Sequence, residues 1–430
     1  MEKTNITLQH FAAGDNVAGT AAYVNANTGA AESYPSGGGL SPEMKTFYDK
    51  TLITLAGANL VHEQFGQKRP IPAGSGRTVE FRKFSSLPKA LTPITEGVTP
   101  AGNRLSVSTV TATAEQYGDY IEQTDLLELT AVDNTIVETT KKLADQAGKT
   151  IDTVVREVIN SGTNVLYSRK NTNGTFTDVT SRADLDASCK LTVRDVFRAA
   201  AELKAMNAPK IDGCFAAIIH PYVAYDLMQE AGDEWIDVAK YVSPENVLTG
   251  EIGRLAGIRF VESSEAKIFA PATVSDGLSR LTVKTANSSA SATVAIDEVL
   301  TANASCSIPV YIGGAENTVT AITTSNGATT LTLSTAVKCA VGDVICGRGA
   351  GSDGSAVFST IVLGADAFGV TDVGGGGIEH IVKQKGYGND PLDQRSSVGW
   401  KALGCAEILV DEYMVRIESG SSYSAVAEAN

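Results

Sequence analysis

Three short patterns in this chain of 430 residues carry residue types that could do chemistry. Gly349-Ala-Gly351-Ser-Asp-Gly354 has the G-x-G-x-x-G spacing of a dinucleotide-binding turn. Such a turn works only when a helix follows, because N–H groups of the first helical turn hold the pyrophosphate. The next segment, Ser355 to Leu363, reads as strand, so the glycines read as a flexible return from a separate folding segment. His62-Glu63 opens like a zinc-protease helix, but position 66 is Gly66 and not the second histidine that the metal needs. His220 ends the apolar run from Cys214 to Ile219, a place where α/β enzymes position active groups. No nucleophile or acid beside it completes a constellation, and a histidine at a strand–helix corner before Pro221 accounts for it.

The remaining chemistry-bearing residues are dispersed. There are four histidines (His10, His62, His220, His380) and six cysteines (Cys189, Cys214, Cys306, Cys339, Cys346, Cys405), with no C-x-x-C pair. That spacing gives neither a metal cluster nor a disulfide framework and reads as thiols in a reducing compartment. The expectation is a chain that is not an enzyme, with no catalytic, cofactor-binding or metal-ligating residues and no cofactor.

Bulk properties fit a large globular protein made in a cytosol: 43 % hydrophobic and 20 % charged residues. No apolar run approaches the roughly 18 residues that would suggest a membrane span, and Met1-Glu-Lys-Thr-Asn-Ile lacks the pattern of a secretory signal. The net charge of −14 argues against a dedicated nucleic-acid binder. The charge is uneven, because residues 41–93 hold eight Lys or Arg against four acids, while residues 94–430 carry −16. A basic arm on an acidic body is what electrostatic complementarity between identical subunits requires; a solvated charge cluster is the plainer alternative.

The elements explain why such an arm would exist. Arg77 to Phe84 alternates as a strand with Val79 and Phe81 on one face, and Leu105 to Ala114 is a second run of the same period. About twenty residues between them carry Pro88, Pro93, Pro100, Gly97 and Gly102, far longer than the usual connection of roughly 4–6 residues. An extended two-stranded arm is marginal alone and needs a surface, most simply that of a neighbouring copy. Residues 1–40 read as an extended tail, and Ser41-Pro42-Glu43 starts a helix. From Asp133 to Asn160, Ile136, Leu143, Ala144, Ala147, Ile151, Val154, Val155 and Val158 mark one helical face. Thr139, Lys142, Asp145, Gln146, Lys149, Asp152 and Arg156 mark the polar one.

Mixed helices and strands follow: a helix from Leu191 with Thr192 as cap, a strand to Ile219, a helix to Met228, a helix over Pro244–Leu255 and a strand at Arg259–Glu262. Residues 271–350 then contain thirteen Thr and only nine charged residues, which reads as a small β-barrel or sandwich inserted in an α+β parent. The parent resumes at Phe358 and closes with strands from Ala406 to Ile417.

Several long segments carry a family likeness. Ser41-Pro-Glu-Met-Lys-Thr-Phe-Tyr48, Phe65-Gly-Gln-Lys-Arg-Pro-Ile-Pro72, Thr78-Val-Glu-Phe-Arg-Lys-Phe84, Leu91-Thr-Pro-Ile-Thr-Glu-Gly-Val-Thr-Pro100 and Asp390-Pro-Leu-Asp-Gln-Arg-Ser-Ser-Val-Gly-Trp400 resemble, in one order, the major capsid proteins of tailed bacteriophages, specifically the N4-like family. The likeness is dense over residues 41–167 and 387–404. It implies an HK97-like capsid fold of α+β class. Residues 1–60 would be the N-terminal arm, 61–122 the extended hairpin-loop region, and 123–270 the first part of the peripheral and axial core, with the long helix as spine. Residues 271–355 would be an inserted all-β domain, a departure from the simplest family pattern, and 356–430 the return to the core.

The implied function is structural: hexamers and pentamers that close an icosahedral head around double-stranded DNA held without sequence-specific contacts. The implied partners are further copies of the chain, a portal protein, and scaffolding and decoration proteins, with no membrane. The implied location is the virion capsid, and the host cytoplasm during assembly. Arg77, Arg82, Lys83, Arg395 and Trp400 are the candidate inter-subunit residues, the cations as ion-pair donors and Trp400 as a packing anchor. An encapsulin-like compartment shares the implied fold, and a soluble hydrolase or tail adhesin is the remote alternative.

Overall fold

The structure is a computed structural model that describes residues 60–69, 77–84, 102–126, 135–231, 236–237, 251–312, 315–372, 378–383 and 392–430, with a few single positions between them. The expected tail and the helix at Ser41 lie outside the described residues. In chain order the elements used below begin with β1 (Gln67–Lys68), β2 (Thr78–Phe84), β3 (Val107–Thr113), β4 (Glu115–Thr124) and α1 (Thr135–Ile159). β5 (Val165–Tyr167), α2 (Val193–Ala205), β6 (Phe215–Ile219), α3 (Pro221–Ala231), β7 (Glu251–Leu255) and β8 (Ile258–Glu262) follow. Next come β9 (Arg280–Thr282), β10 (Ser291–Ile296), β11 (Ile308–Ile312), β12 (Ala315–Ser325), β13 (Ala328–Val337) and β14 (Val344–Gly347). The last are β15 (Val357–Leu363), β16 (Phe368–Asp372), β17 (Ile378–Lys383), β18 (Arg395–Ile408) and β19 (Met414–Ser419).

Two compact units divide the chain, one of residues up to 155 with 368–409, the other of 156–367 with 410–430. In the first, the 14-residue β18 is the central strand. β4 pairs along one edge from Arg395 to Gly404, while β17 and then β16 pair along the other, with β1 parallel to β16 beyond. α1 has 25 residues, about 37 Å of rod, and lays Leu143, Ala144 and Ala147 on Val398, Trp400 and Ala402. Those three alternate along β18, so one face of the sheet is apolar and covered by helix. The Trp400 indole N–H donates to Gln146 Oε1 at 3.3 Å, which satisfies its polar edge under the helix.

The polar face expected for α1 needs correction at its C-terminal end. Asp152 and Arg156 are both buried. One apolar stripe predicts one buried side, but here the last two turns are covered on a second side as well, and each charge meets a partner. In the first unit, His62 Nδ1 lies 2.6 Å from Asp152 Oδ2, and the His62 N–H donates to Oδ1 at 2.7 Å. In the second, Arg156 donates to Glu265 O and Asn430 O at 2.8 Å each, and to Glu157 Oε1 at 2.9 Å. Buried charges persist only when paired and hydrogen-bonded.

The second unit centres on a mixed sheet of order β5-β19-β15-β6-β8-β7. α2 and α3 cover one face through Val196, Ala199, Leu203, Val223 and Leu227, against Phe215, Ala217, Ile219, Val415 and Ile417. A capping box starts α2: the Asp195 N–H donates to Thr192 Oγ1, and the Thr192 N–H to the Asp195 carboxylate. The helix expected over Pro244–Leu255 is not what its described part forms: Glu251–Leu255 is a strand antiparallel to β8. Ala256 and Gly257 both take positive φ, 56° and 82°, the backbone of a tight hairpin turn, and that turn commits the preceding residues to a ladder.

Between β8 and β15, six antiparallel strands run in the order β9-β14-β11-β12-β13-β10. The Val283–Ile296 bridge joins the first strand to the last, with Lys284 N–H to Ala295 O at 2.9 Å and Asp297 N–H to Thr282 O at 3.0 Å. The sheet is therefore a closed barrel, filled by Leu281, Val294, Ile312, Val319, Leu331 and Ile345. Its exit runs through Gly349–Gly354 into β15, a strand buried along its whole length, and Arg280 reaches back to hold Gly354 O. His220 sits at the corner between β6 and α3, buried against Tyr222 and Phe358 with ring centroids 4.7 and 5.0 Å away. Its Nδ1 accepts the Tyr222 N–H at 3.2 Å.

Both buried histidines give testable consequences. Replacing His62 with Ala leaves the Asp152 carboxylate buried without its partner and is expected to cost about 3 kcal/mol, read as a lower urea midpoint. A loss under about 1 kcal/mol would mean that the pair is not what holds this segment. For His220, burial pushes the imidazole pKa from 6.5 down to about 4. The unfolded chain takes up that proton near pH 6.5 and the folded chain does not, so stability present above pH 6.5 is lost as pH falls towards 4. From pH 7 to 4.5 the subunit should lose about 2 kcal/mol more than a His220→Asn variant; parallel declines would contradict a buried neutral ring.

Candidate assembly surfaces

The β2–β3 hairpin is built from two faces with different partners. Its register sets Thr78 opposite Thr113 and Phe84 opposite Val107. Val79 and Phe81 point to one side and are buried with Ala112, Ala114, Cys405 and Leu409. Phe81 lies on Gly369, where an added Cβ would meet the ring at 2.6 Å, so only glycine leaves room for it. The base of the hairpin therefore finds its surface on the chain's own sheet, not on a neighbour as the sequence pattern alone implied.

Further along, the balance reverses. Leu87, Leu91 and Leu105 expose 56, 82 and 59 % of their surface. Each apolar side chain left in water forgoes roughly 1.5–3 kcal/mol of burial, and clusters of them mark interaction sites. Arg77 and Arg82 are exposed on the hairpin, Arg82 on the side away from Phe81. The Lys83 backbone pairs with Ser108, while its side chain is outside the described residues. Arg69 Nη1 donates to Glu80 O at 3.0 Å and ties the preceding segment to β2.

The face of the same sheet turned away from α1 carries a groove of about 550 Å³ lined by Gly118, Tyr120, Glu122, Ile381, Lys383 and Gly399. Strand alternation puts Trp400 towards α1 and Gly399 into the groove. A Cβ on Gly399 would sit 2.8 Å from that of Tyr120, and one on Gly118 would sit 2.6 Å from Trp400 O, so the floor is bare backbone. Tyr120 stands exposed over it. Beside it, the Gln146 amide and then the Tyr120 N–H hold the Asp119 carboxyl below its ordinary range. Of the acids on β4, Glu122 lies on the groove side, where Lys383 lines the opposite wall.

The five residues singled out by sequence thus fall into different settings. Arg77 and Arg82 are exposed, and Lys83 shares their strand or its border. Arg395 lies on β18 within 4.0 Å of Glu122 of β4, an exposed ion pair inside the chain. Trp400 is 3 % exposed and packs against its own helix. The groove went unnoticed in the sequence; Gly118 and Gly399 interrupting β-rich runs were the available signal. Among the described residues no group of three or more His, Cys, Asp or Glu is placed to hold a metal ion, and no helix is long and apolar enough to cross a membrane.

No family model and no curated protein matches the chain. Solved structures do resemble it. The capsid of Ralstonia phage GP4 is 12 % identical and aligns over 83 % of this chain and 87 % of that one, with a TM-score of 0.52. The capsid of cyanophage P-SCSP1u, also 12 % identical, covers the same shares with a TM-score of 0.47. At such low identity the GP4 likeness speaks for backbone architecture, and on that basis the chain has an α+β phage capsid fold.

Proposed function

We propose that this chain is a major capsid protein of a tailed bacteriophage, a structural subunit that assembles with copies of itself into an icosahedral shell. The capsid fold carries the proposal, and the hairpin with its exposed cations and leucines gives that fold a part suited to a neighbouring subunit. In this reading β2–β3 and the residues between them form the extended loop, α1 the spine of a peripheral domain, and the sheet of the second unit an axial domain. The inserted barrel at 271–355 is a separate module of the subunit, and residues 1–60 are its N-terminal arm. The order of motifs that resembles N4-like capsid proteins supports this placement of parts.

Charge supports the mode of contact. Arg77, Arg82 and Lys83 lie on a basic segment, and the rest of the chain, residues 94–430, carries −16. The same acidic balance suits a shell that encloses double-stranded DNA without gripping it, since packaged DNA carries its own counterions. Arg395 acts within the subunit by steadying β18 against β4, as Trp400 does by seating α1. Portal, scaffolding and decoration proteins are the further partners of such a shell, in the host cytoplasm during assembly and then in the virion.

Negative-stain microscopy of the purified chain after size exclusion is the direct test: closed shells or capsomer rings are expected, and a monomer at every salt concentration would contradict the proposal. Exchanging Arg82 and Lys83 together for Glu should lower each contact by about 2 kcal/mol, ~30-fold in association constant, while the melting temperature stays unchanged. Normal shells from that variant would remove the hairpin from the assembly contacts.

A further inference from the structure

Residues 421–430 cross the second unit without forming helix or strand, yet they are tied down at three places. At the first, buried Asp226 of α3 accepts from Ser421 Oγ at 2.9 Å and from the Ser422 N–H at 2.8 Å. At the second, Ala425 O accepts the Ala356 N–H at 2.8 Å. At the third, the Asn430 side chain fills a socket of backbone groups. Its Nδ2 donates to Ser264 O at 3.0 Å and to Ala266 O at 2.7 Å, and its Oδ1 accepts the Ile268 N–H at 3.1 Å.

Two of these three places belong to the root of the inserted barrel. The chain enters the barrel through Ser264–Phe269 and leaves it through Ala356. The two lines meet where Ile268 and Phe269 pair with Phe358 and Val357 of β15. Opposite residues of a ladder share a face. Ile268 and Phe358 belong to the α2–α3 core, against which Ala427 of the segment packs. Phe269 and Val357 face the other way, onto the small cluster around Leu185. Residues 425–430 thus bond both the entry line and the exit line of the barrel.

The barrel does not need that root in order to fold, because it closes on itself at the Val283–Ile296 bridge and carries its own core. The segment is the opposite case. Ala427 packs on the core and Tyr423 lays one face on Tyr222, but Tyr423 and Val426 stay 64 and 65 % exposed. Segments with so little buried apolar surface open at lower free energy than the sheet they lie on. We propose that residues 421–430 are a latch for the inserted barrel. Closed, they fix its root to the body of the unit; open, they leave the barrel folded and free to swing on that root. The inference concerns contacts inside one subunit and does not depend on the assembly reading.

The test is limited trypsin digestion of the full chain, of an Asn430→Ala variant, and of a variant ending at Ser422, which keeps the Asp226 bonds. Lys267 lies beside the socket, whereas Arg348 on the exit line bonds Ala272, Pro309 and Glu316 and not the segment. An opened latch exposes both sites, so cleavage after Arg348 should rise about tenfold in the shortened variant and about threefold with Asn430→Ala. Faster cleavage after Lys267 with none gained after Arg348 would mean that the segment shields only the bond beside it, and would overturn the proposal. Hydrogen exchange in β11 to β13 should stay as slow as in wild type. Faster exchange there would mean that the barrel unfolds instead of moving, which overturns the proposal equally. If the shortened variant does not fold, the Asn430→Ala result decides alone.

Discussion

Two buried charges one helical turn apart, Asp152 and Arg156, constrain much of this architecture. Removing a carboxylate and a guanidinium from water costs several kcal/mol each unless neighbours replace the lost solvation. The chain supplies those neighbours from distant segments: His62 for Asp152, and Glu265 O and Asn430 O for Arg156. The segment at His62 is thereby pinned to α1, and the C-terminal residue to the start of the second unit. A helix whose C-terminal turns are satisfied from such distances in sequence cannot form its final contacts until those segments have docked.

The same economy appears at the hairpin. In the proposed subunit the hairpin is an arm for a neighbour, and Phe81 on Gly369 gives it a fixed root. Leu87 and Leu91 beyond that root keep more than half of their surface exposed. In the proposed subunit, stability inside the chain and association between chains are served by different stretches of one element. Gly118 and Gly399 lie farther along that sheet, where absent side chains leave a groove.

Nothing in the described residues concentrates binding energy at one point, and the proposed shell does not require it. Exposed ion pairs such as Arg395–Glu122 are worth well under about 1 kcal/mol each. Symmetry multiplies weak contacts, so modest complementarity on several surfaces is sufficient and leaves assembly reversible enough to correct errors.

Much of the secondary structure was legible in the chain itself. The period of Leu143, Ala144, Ala147 and Ile151 gave α1, Thr192 gave the start of α2, and the alternation of Val79 and Phe81 gave β2, because these signals are local. The tertiary structure decided what local signals do not contain. Trp400 could serve as an anchor anywhere, and only the pairing of β18 with β4 and β17 turned it beneath α1. Asp152 and Arg156 read as solvent-facing because periodicity records one buried side, while their partners lie 90 and 109 residues away. Glu251–Leu255 read as helix because its commitment to a ladder comes from the positive φ of Ala256, a conformation that alanine does not announce. Composition and period determine which segments can form and which side they bury; which segments meet is set by packing and by the need to satisfy every buried charge.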